Sequence, residues 1–140
     1  MPTGMTALYD DVLLLDGVRT PWTDLNGALG QVSPTDLGIA VARALLARGH
    51  EAGAVDSVLA GSVAQASFDA YLLPRHIGLY AGVPEAVPAL QVQRVCGTGL
   101  ELLRQAGDQL QSGQASRVLC VAAESMTRNP IAAYTHRSGF

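Results

Sequence analysis

One cysteine in this sequence stands where a nucleophile can be built. The stretch Gln93-Arg94-Val95-Cys96-Gly97-Thr98-Gly99-Leu100-Glu101 follows an apolar segment (Ala89, Leu90, Val92) that reads as a strand. Leu100, Leu103, Gly107 and Leu110 then recur at spacings of three and four, one face of a helix. Cys96 is thus expected at a strand-to-helix turn, at the helix N-terminus. The first helical N–H groups have no partner inside the helix, and the helix dipole is positive there. Both effects favour a thiolate and are expected to lower the thiol pKa. Gly97 and Gly99 carry no Cβ, so a ligand or neighbouring backbone can approach the sulfur. Such a cysteine can act as an activated nucleophile. The plainer alternative is a buried filler, the usual fate of a single cysteine in a small apolar protein.

The other reactive side chains offer less. Cys120 lies inside an apolar run and reads as inert packing. The two cysteines form neither a disulfide framework nor the paired spacing of a zinc site. The three histidines are scattered; His76 lies on an expected helix, where packing or solvation is the ordinary role. All nine basic residues are arginine, so no Schiff-base lysine is available within this chain. A net charge of −3 gives no reason to expect nucleic acid or an anionic membrane as partner. No stretch is long enough to span a membrane, and no signal peptide is evident, so a reducing, cytoplasmic location is expected.

The elements that must position Cys96 follow from periodicity. With 140 residues, 49% of them hydrophobic and 15% charged, the chain fits one domain (1–140) with a real core. Met1 to Asp10 is a weakly patterned leader. Val12-Leu13-Leu14-Leu15 is a continuous apolar run, expected to be a buried strand. A loop follows from Arg19-Thr20-Pro21 through Gly30. Ser33-Pro34-Thr35-Asp36 is a helix start, with Ser33 as cap and Pro34 at the first helical position. Leu37, Val41, Ala44, Leu45 and Arg48 continue its face, and Gly49 ends it.

Val55 to Ala60 predicts a second strand. Asp69 to Gly82 predicts a helix, with Leu72, Leu73, Ile77, Leu79 and Tyr80 packed on more than one side. Arg117 to Ala123 predicts the most buried strand. Strands alternating with helices argue for an α/β fold with parallel pairing.

The residues around Cys96 resemble the nucleophile signature of thiolases, usually Val-Asn-Arg-x-Cys-Gly/Ala-Ser-Gly-Leu. Three other stretches agree in order: Val18-Arg19-Thr20-Pro21, Gly61-Ser62-Val63-Ala64-Gln65-Ala66, and Glu124-Ser125-Met126-Thr127-Arg128-Asn129-Pro130. The resemblance runs from about Val12 to Pro130. It implies a thiolase-like α/β fold, of which this chain is an incomplete N-terminal βαβαβ half lacking the final strands. The nucleophile would sit at the N-terminus of a central buried helix.

The resemblance implies acyl transfer between coenzyme A thioesters, in fatty acid metabolism, with Cys96 as the catalytic residue. It implies no resident cofactor and no metal; acyl-CoA and CoA are substrates. The family's catalytic histidine and second cysteine belong to motifs in the other half, absent from this sequence, so these 140 residues are expected to be inactive alone. Gln65 and Ser67 fall in a segment resembling the family's dimer contact, which implies a homodimer or homotetramer of the complete protein. A complementing C-terminal chain is the other expected partner. Arg19 and its loop are expected to shape the floor of the catalytic region, and Glu124 to lend structural support. The departures are Gln93 for Asn, Thr98 for Ser, and Ala122-Ala123 for Gly-Gly. The competing reading is a non-catalytic thiolase-like subunit that binds a complementing partner.

Overall fold

The computed structural model describes residues 6–63, 70–131, 133 and 135. Its elements in order are α1 (Pro34–Leu46), β1 (Ser57–Gly61), α2 (Leu73–Tyr80), β2 (Ala89–Gln91), α3 (Thr98–Gln111) and β3 (Val118–Ala122). The three strands form one parallel sheet in the order β2-β1-β3. α1 and α2 pack together on one face and α3 covers the other, giving three layers, α/β/α.

Each layer has its own core, because strand side chains alternate between faces. Val58, Ala60, Leu119 and Val121 meet Ala42, Leu73 and Ile77 of the α1/α2 layer. Leu59, Val118 and Cys120 meet Leu102 and Ala106 of α3. α1 begins as its sequence predicts: the Ser33 hydroxyl accepts the Asp36 N–H at 3.0 Å, and Pro34 occupies the first turn. A side chain at Gly38 would strike Ile77, so this glycine sets how closely the two helices approach.

Five expectations need correction. First, Val12–Leu15 is not a strand. Among the described residues no strand pairs with it, and Leu13, Leu14 and Leu15 are 74%, 81% and 63% exposed. Second, the most buried strand is β1, buried throughout, because it is central; β3 is an edge strand with alternating burial. Third, the helix expected over Asp69–Gly82 becomes a tight turn (Ala70–Leu72) followed by α2; Asp69 lies outside the described residues. α2 packs against both α1 and the sheet, burying Leu73 and Ile77, while Leu72, Leu79 and Tyr80 stay exposed on its outer side.

Fourth, α3 turns a different face inward. Thr98, Leu102, Ala106 and Gly107 are buried, whereas Leu100 and Leu103 are exposed, so the helix turns Leu102 and Ala106 to the sheet and leaves the expected face outward. Fifth, the buried positions of α1 are Pro34, Thr35, Gly38 and Ala42; of the expected face Val41 and Leu45 pack partly buried beside them and Arg48 and Ala44 are exposed, while left-handed Gly49 closes the helix end as expected.

Candidate functional site

The carboxyl ends of the three parallel strands lie together: Gly61, Gln91 and Ala122. In open α/β sheets this is the edge where ligands bind. Cys96 is placed there by the chain leaving β2. It occupies a single tight turn, Val95–Gly97, that runs straight into α3, and it is exposed. The buried-filler reading of Cys96 therefore does not hold.

The turn is strained and clamped. Val95 has φ +45°, a left-handed conformation that a β-branched residue rarely adopts. Thr98 holds it. Its hydroxyl accepts the Arg94 N–H at 2.8 Å and donates to the Val95 carbonyl at 2.7 Å. The Gly97 N–H closes the turn on the Arg94 carbonyl at 2.9 Å. Thr98 is itself buried against the end of β1. A Cβ on Gly61 would lie 2.0 Å from the Val92 carbonyl oxygen and 2.6 Å from the Thr98 methyl. Only glycine at 61 lets β1 come this close to the chain on both sides of the turn.

Charge is fixed beside it. Arg94 reaches Glu101, in the first turn of α3, at 2.8 Å, and Arg104 and Gln105 bind the same carboxylate. The bonds from Arg104 and Gln105, with a smaller one from Arg94, lower the Glu101 pKa to about 2. The guanidinium two residues before Cys96 is thus tethered at the mouth of the helix.

A second set of bonds ties the strand exits together. Glu124, just beyond β3, accepts the Val63 N–H at 2.6 Å and the Ser125 N–H at 3.1 Å. The Gln93 amide donates to the Val63 carbonyl at 2.7 Å. Val63, two residues beyond β1, is gripped through both its backbone groups. Glu124 has the supporting role expected of it. The Arg19 loop comes close through its later residues. Asn26 donates its N–H to Thr127 Oγ1 at 2.9 Å, and Arg128 donates to the Gln31 carbonyl at 3.0 Å. Arg19 itself is exposed and lies over the Trp22 ring. Ala122 packs just beyond Gly99, whose Cβ would sit 3.8 Å away, in ordinary contact.

Other candidates lie elsewhere. Cys120 faces α3 from β3, its sulfur 3.7 Å from the Leu102 carbonyl, and burial pushes its thiol up to about 11. His50 contacts Asp16 at 3.2 Å and His76 packs edge-on against Tyr80, so neither serves Cys96. Among the described residues no cluster of three or more histidine, cysteine, aspartate or glutamate side chains could hold a metal ion. Gln65 and Ser67 lie outside the described residues. Sequence reasoning missed the grip on Val63 and the fit of Gly61 to Thr98. Both join residues 30 or more positions apart and leave no local pattern.

A family model of the thiolase N-terminal domain matches residues 12–140. The chain belongs to the thiolase family. This thiolase chain is 37% identical over 134 residues to the mitochondrial 3-ketoacyl-CoA thiolase of Bos taurus, covering 95% of its own length and 34% of that protein's. It is 34% identical over 125 residues to the 3-ketoacyl-CoA thiolase of Escherichia coli O139:H28, covering 87% and 32%. Its fold matches human mitochondrial 3-ketoacyl-CoA thiolase in complex with CoA, with a TM-score of 0.83 and 37% identity over 87% of this chain and 31% of that one. The Bacillus anthracis acetyl-CoA acetyltransferase matches with a TM-score of 0.74 at 32% identity, over 82% and 29%. The chain spans about a third of the length of these relatives.

Proposed function

We propose that Cys96 is the nucleophile of a thiolase-type acyl transfer between coenzyme A thioesters. The observation that carries this reading is the exposed Cys96 on a clamped, left-handed turn at the amino end of α3 and the carboxyl edge of the sheet. The cysteine sulfur attacks the C3 carbonyl of a 3-oxoacyl-CoA. The bond between C2 and C3 breaks, acetyl-CoA leaves once its C2 carbanion gains a proton, and the acyl group stays on sulfur. The thiol of a second CoA then takes the acyl group and restores the cysteine. Run backwards, the same steps make a Claisen condensation. The Cys96 N–H, on the amino side of α3, is suited to receive negative charge developing on the attacked carbonyl oxygen.

The proton transfers need a base and an acid, and among the described residues His50 and His76 are engaged elsewhere. The reading therefore assigns full turnover to an assembly larger than these 140 residues, an oligomer of the complete thiolase. Neither a metal nor a resident cofactor enters the scheme.

Iodoacetamide and acetyl-CoA test the assignment. At neutral pH, Cys96 is expected to alkylate at least about tenfold faster than Cys120, whose thiol is buried and pushed up to about 11. In the complete assembly, acetyl-CoA should add one acetyl group by intact mass, and Cys96→Ser should abolish it. Equal alkylation rates, or an acetyl group that survives the substitution, would move the nucleophile elsewhere.

A further inference from the structure

The turn that carries Cys96 is a rigid unit, and its place on the sheet is set from two sides. Thr98 makes it rigid: its hydroxyl holds the Arg94 N–H and the Val95 carbonyl, and the Gly97 N–H closes on the Arg94 carbonyl. After Cys96 the unit is seated by Thr98, buried against Gly61 at the end of β1. Before Cys96 the last bond to the sheet is the Val92 N–H to the Ala60 carbonyl, at 3.0 Å. Gln93 stands between that bond and the turn. It is exposed, so packing does not hold it, and its side-chain amide reaches the Val63 carbonyl at 2.7 Å. The acceptor is a carbonyl, so the amide end that faces it is the NH2.

Val63 is a fixed point. Its N–H is held at 2.6 Å by Glu124, which also accepts the Ser125 N–H. The Ala123 N–H donates to the Gly61 carbonyl at 3.0 Å, which ties the chain after β3 to the end of β1. A bond from Gln93 to a carbonyl on a free loop would position nothing, because the loop would follow it. With Val63 anchored through Glu124, the bond refers the start of the nucleophile turn to the exits of β1 and β3. Side-chain length matters here. Asparagine, the usual family residue, is shorter by one C–C bond, about 1.5 Å. From the same backbone position its amide falls short of hydrogen-bond distance.

We infer that Gln93 is a positioning residue for the acyl transfer: through Val63 and Glu124 it sets where the Cys96 sulfur stands over the carboxyl edge of the sheet. Its role is placement, whereas Thr98 gives the turn its shape. Without the Gln93 amide the cysteine stays exposed and as reactive towards a small reagent as before, but the turn is free to pivot on Thr98. A bound thioester then meets a displaced sulfur. A displacement of about 1 Å can cost about 100-fold in rate. This role presupposes Cys96 as the nucleophile and adds a second residue to that reading.

The test compares acylation with alkylation in the complete thiolase. Gln93→Met keeps the length of the side chain and removes the donor. Acetylation of Cys96 by acetyl-CoA, followed by intact mass, should slow by about 10- to 100-fold. In thiolysis of a 3-oxoacyl-CoA, kcat should fall while KM stays within about twofold. Alkylation of Cys96 by iodoacetamide should also stay within about twofold, with the same pH profile, because the surroundings of the thiol are kept. Gln93→Asn, a donor that is too short, should behave as Gln93→Met. Glu124→Gln removes one of the two acceptor oxygens and should slow acetylation as well. Its double variant with Gln93→Met should be no slower than the slower single, since both act through Val63. Acetylation at the parent's rate in either Gln93 variant, alkylation slowed in step with acetylation, or single effects that multiply in the double would each overturn the positioning role. Cys96→Ser keeps the two readings apart. An acetyl group that survives it defeats the nucleophile assignment, whereas its loss there, with parental behaviour in Gln93→Met, defeats the positioning role alone.

Discussion

Thr98 does more than continue the helix it begins. Its hydroxyl holds the Arg94 N–H and the Val95 carbonyl together across the turn that carries Cys96. The left-handed Val95 persists because those two bonds and the close packing of Gly61 over-determine it. Thr98→Val keeps the shape and removes the hydroxyl, leaving the part-buried Arg94 N–H and Val95 carbonyl without their partner. The expected cost is about 1–3 kcal/mol in a urea titration, with slower alkylation of Cys96 as the turn relaxes. Thr98→Ser should recover both. An unchanged alkylation rate in the valine variant would deny the hydroxyl its positioning role. Gln93 and Thr98, which depart from the usual family residues, both retain a polar group that the structure uses.

At the scale of elements, the site is assembled where β1, the turn after β2, and the segment after β3 meet. Gly61 is the contact point. Gly61→Ala puts a methyl carbon 2.0 Å from the Val92 oxygen, a backbone atom that cannot swing aside. The end of β1 or the chain after β2 must move, at an expected cost of about 1–3 kcal/mol or more. Denaturant unfolding measures it, and a neutral result would mean that the close approach is not required. Gly99 differs: Ala122 lies in ordinary contact beyond it, so alanine in place of the usual family glycine leaves the amino end of α3 in its packed position.

For the whole molecule, acid should act through two carboxylates. The Glu101 pKa is lowered to about 2, and that of Asp16 is lowered chiefly by the Gly17 N–H, then by His50 and Arg48. A carboxylate depressed in the folded state stabilises it above the unfolded value, about 4.3 for glutamate. That stability is lost as pH falls through the folded value. Thermal midpoints should therefore decline from about pH 4.5 towards pH 2. Glu101→Gln should lower the midpoint at pH 7 and flatten the decline. A variant with the parent's slope would remove Glu101 from the acid response. Asp16 ties the segment after Val12–Leu15 to Arg48 and Glu101 anchors Arg94, so acid should loosen both attachments together.

The sequence by itself determined the alternation of strands and helices, the Ser33 cap, the place of Cys96 between strand and helix, and, through four ordered motifs, the family. These are local signals, carried by spacing and by capping or turn residues within about ten positions. Only the tertiary structure decided the rest. It made β1 the central strand, turned α3 on Leu102 and Ala106 in place of Leu100 and Leu103, and left Val12–Leu15 outside the sheet. Periodicity reports that a segment wants burial but does not say which neighbour supplies it. An apolar run becomes a strand only when another strand satisfies its backbone, and among the described residues Val12–Leu15 has none. The grip on Val63 and the fit of Gly61 against Thr98 were hidden for the same reason: each is a meeting of residues far apart in the chain.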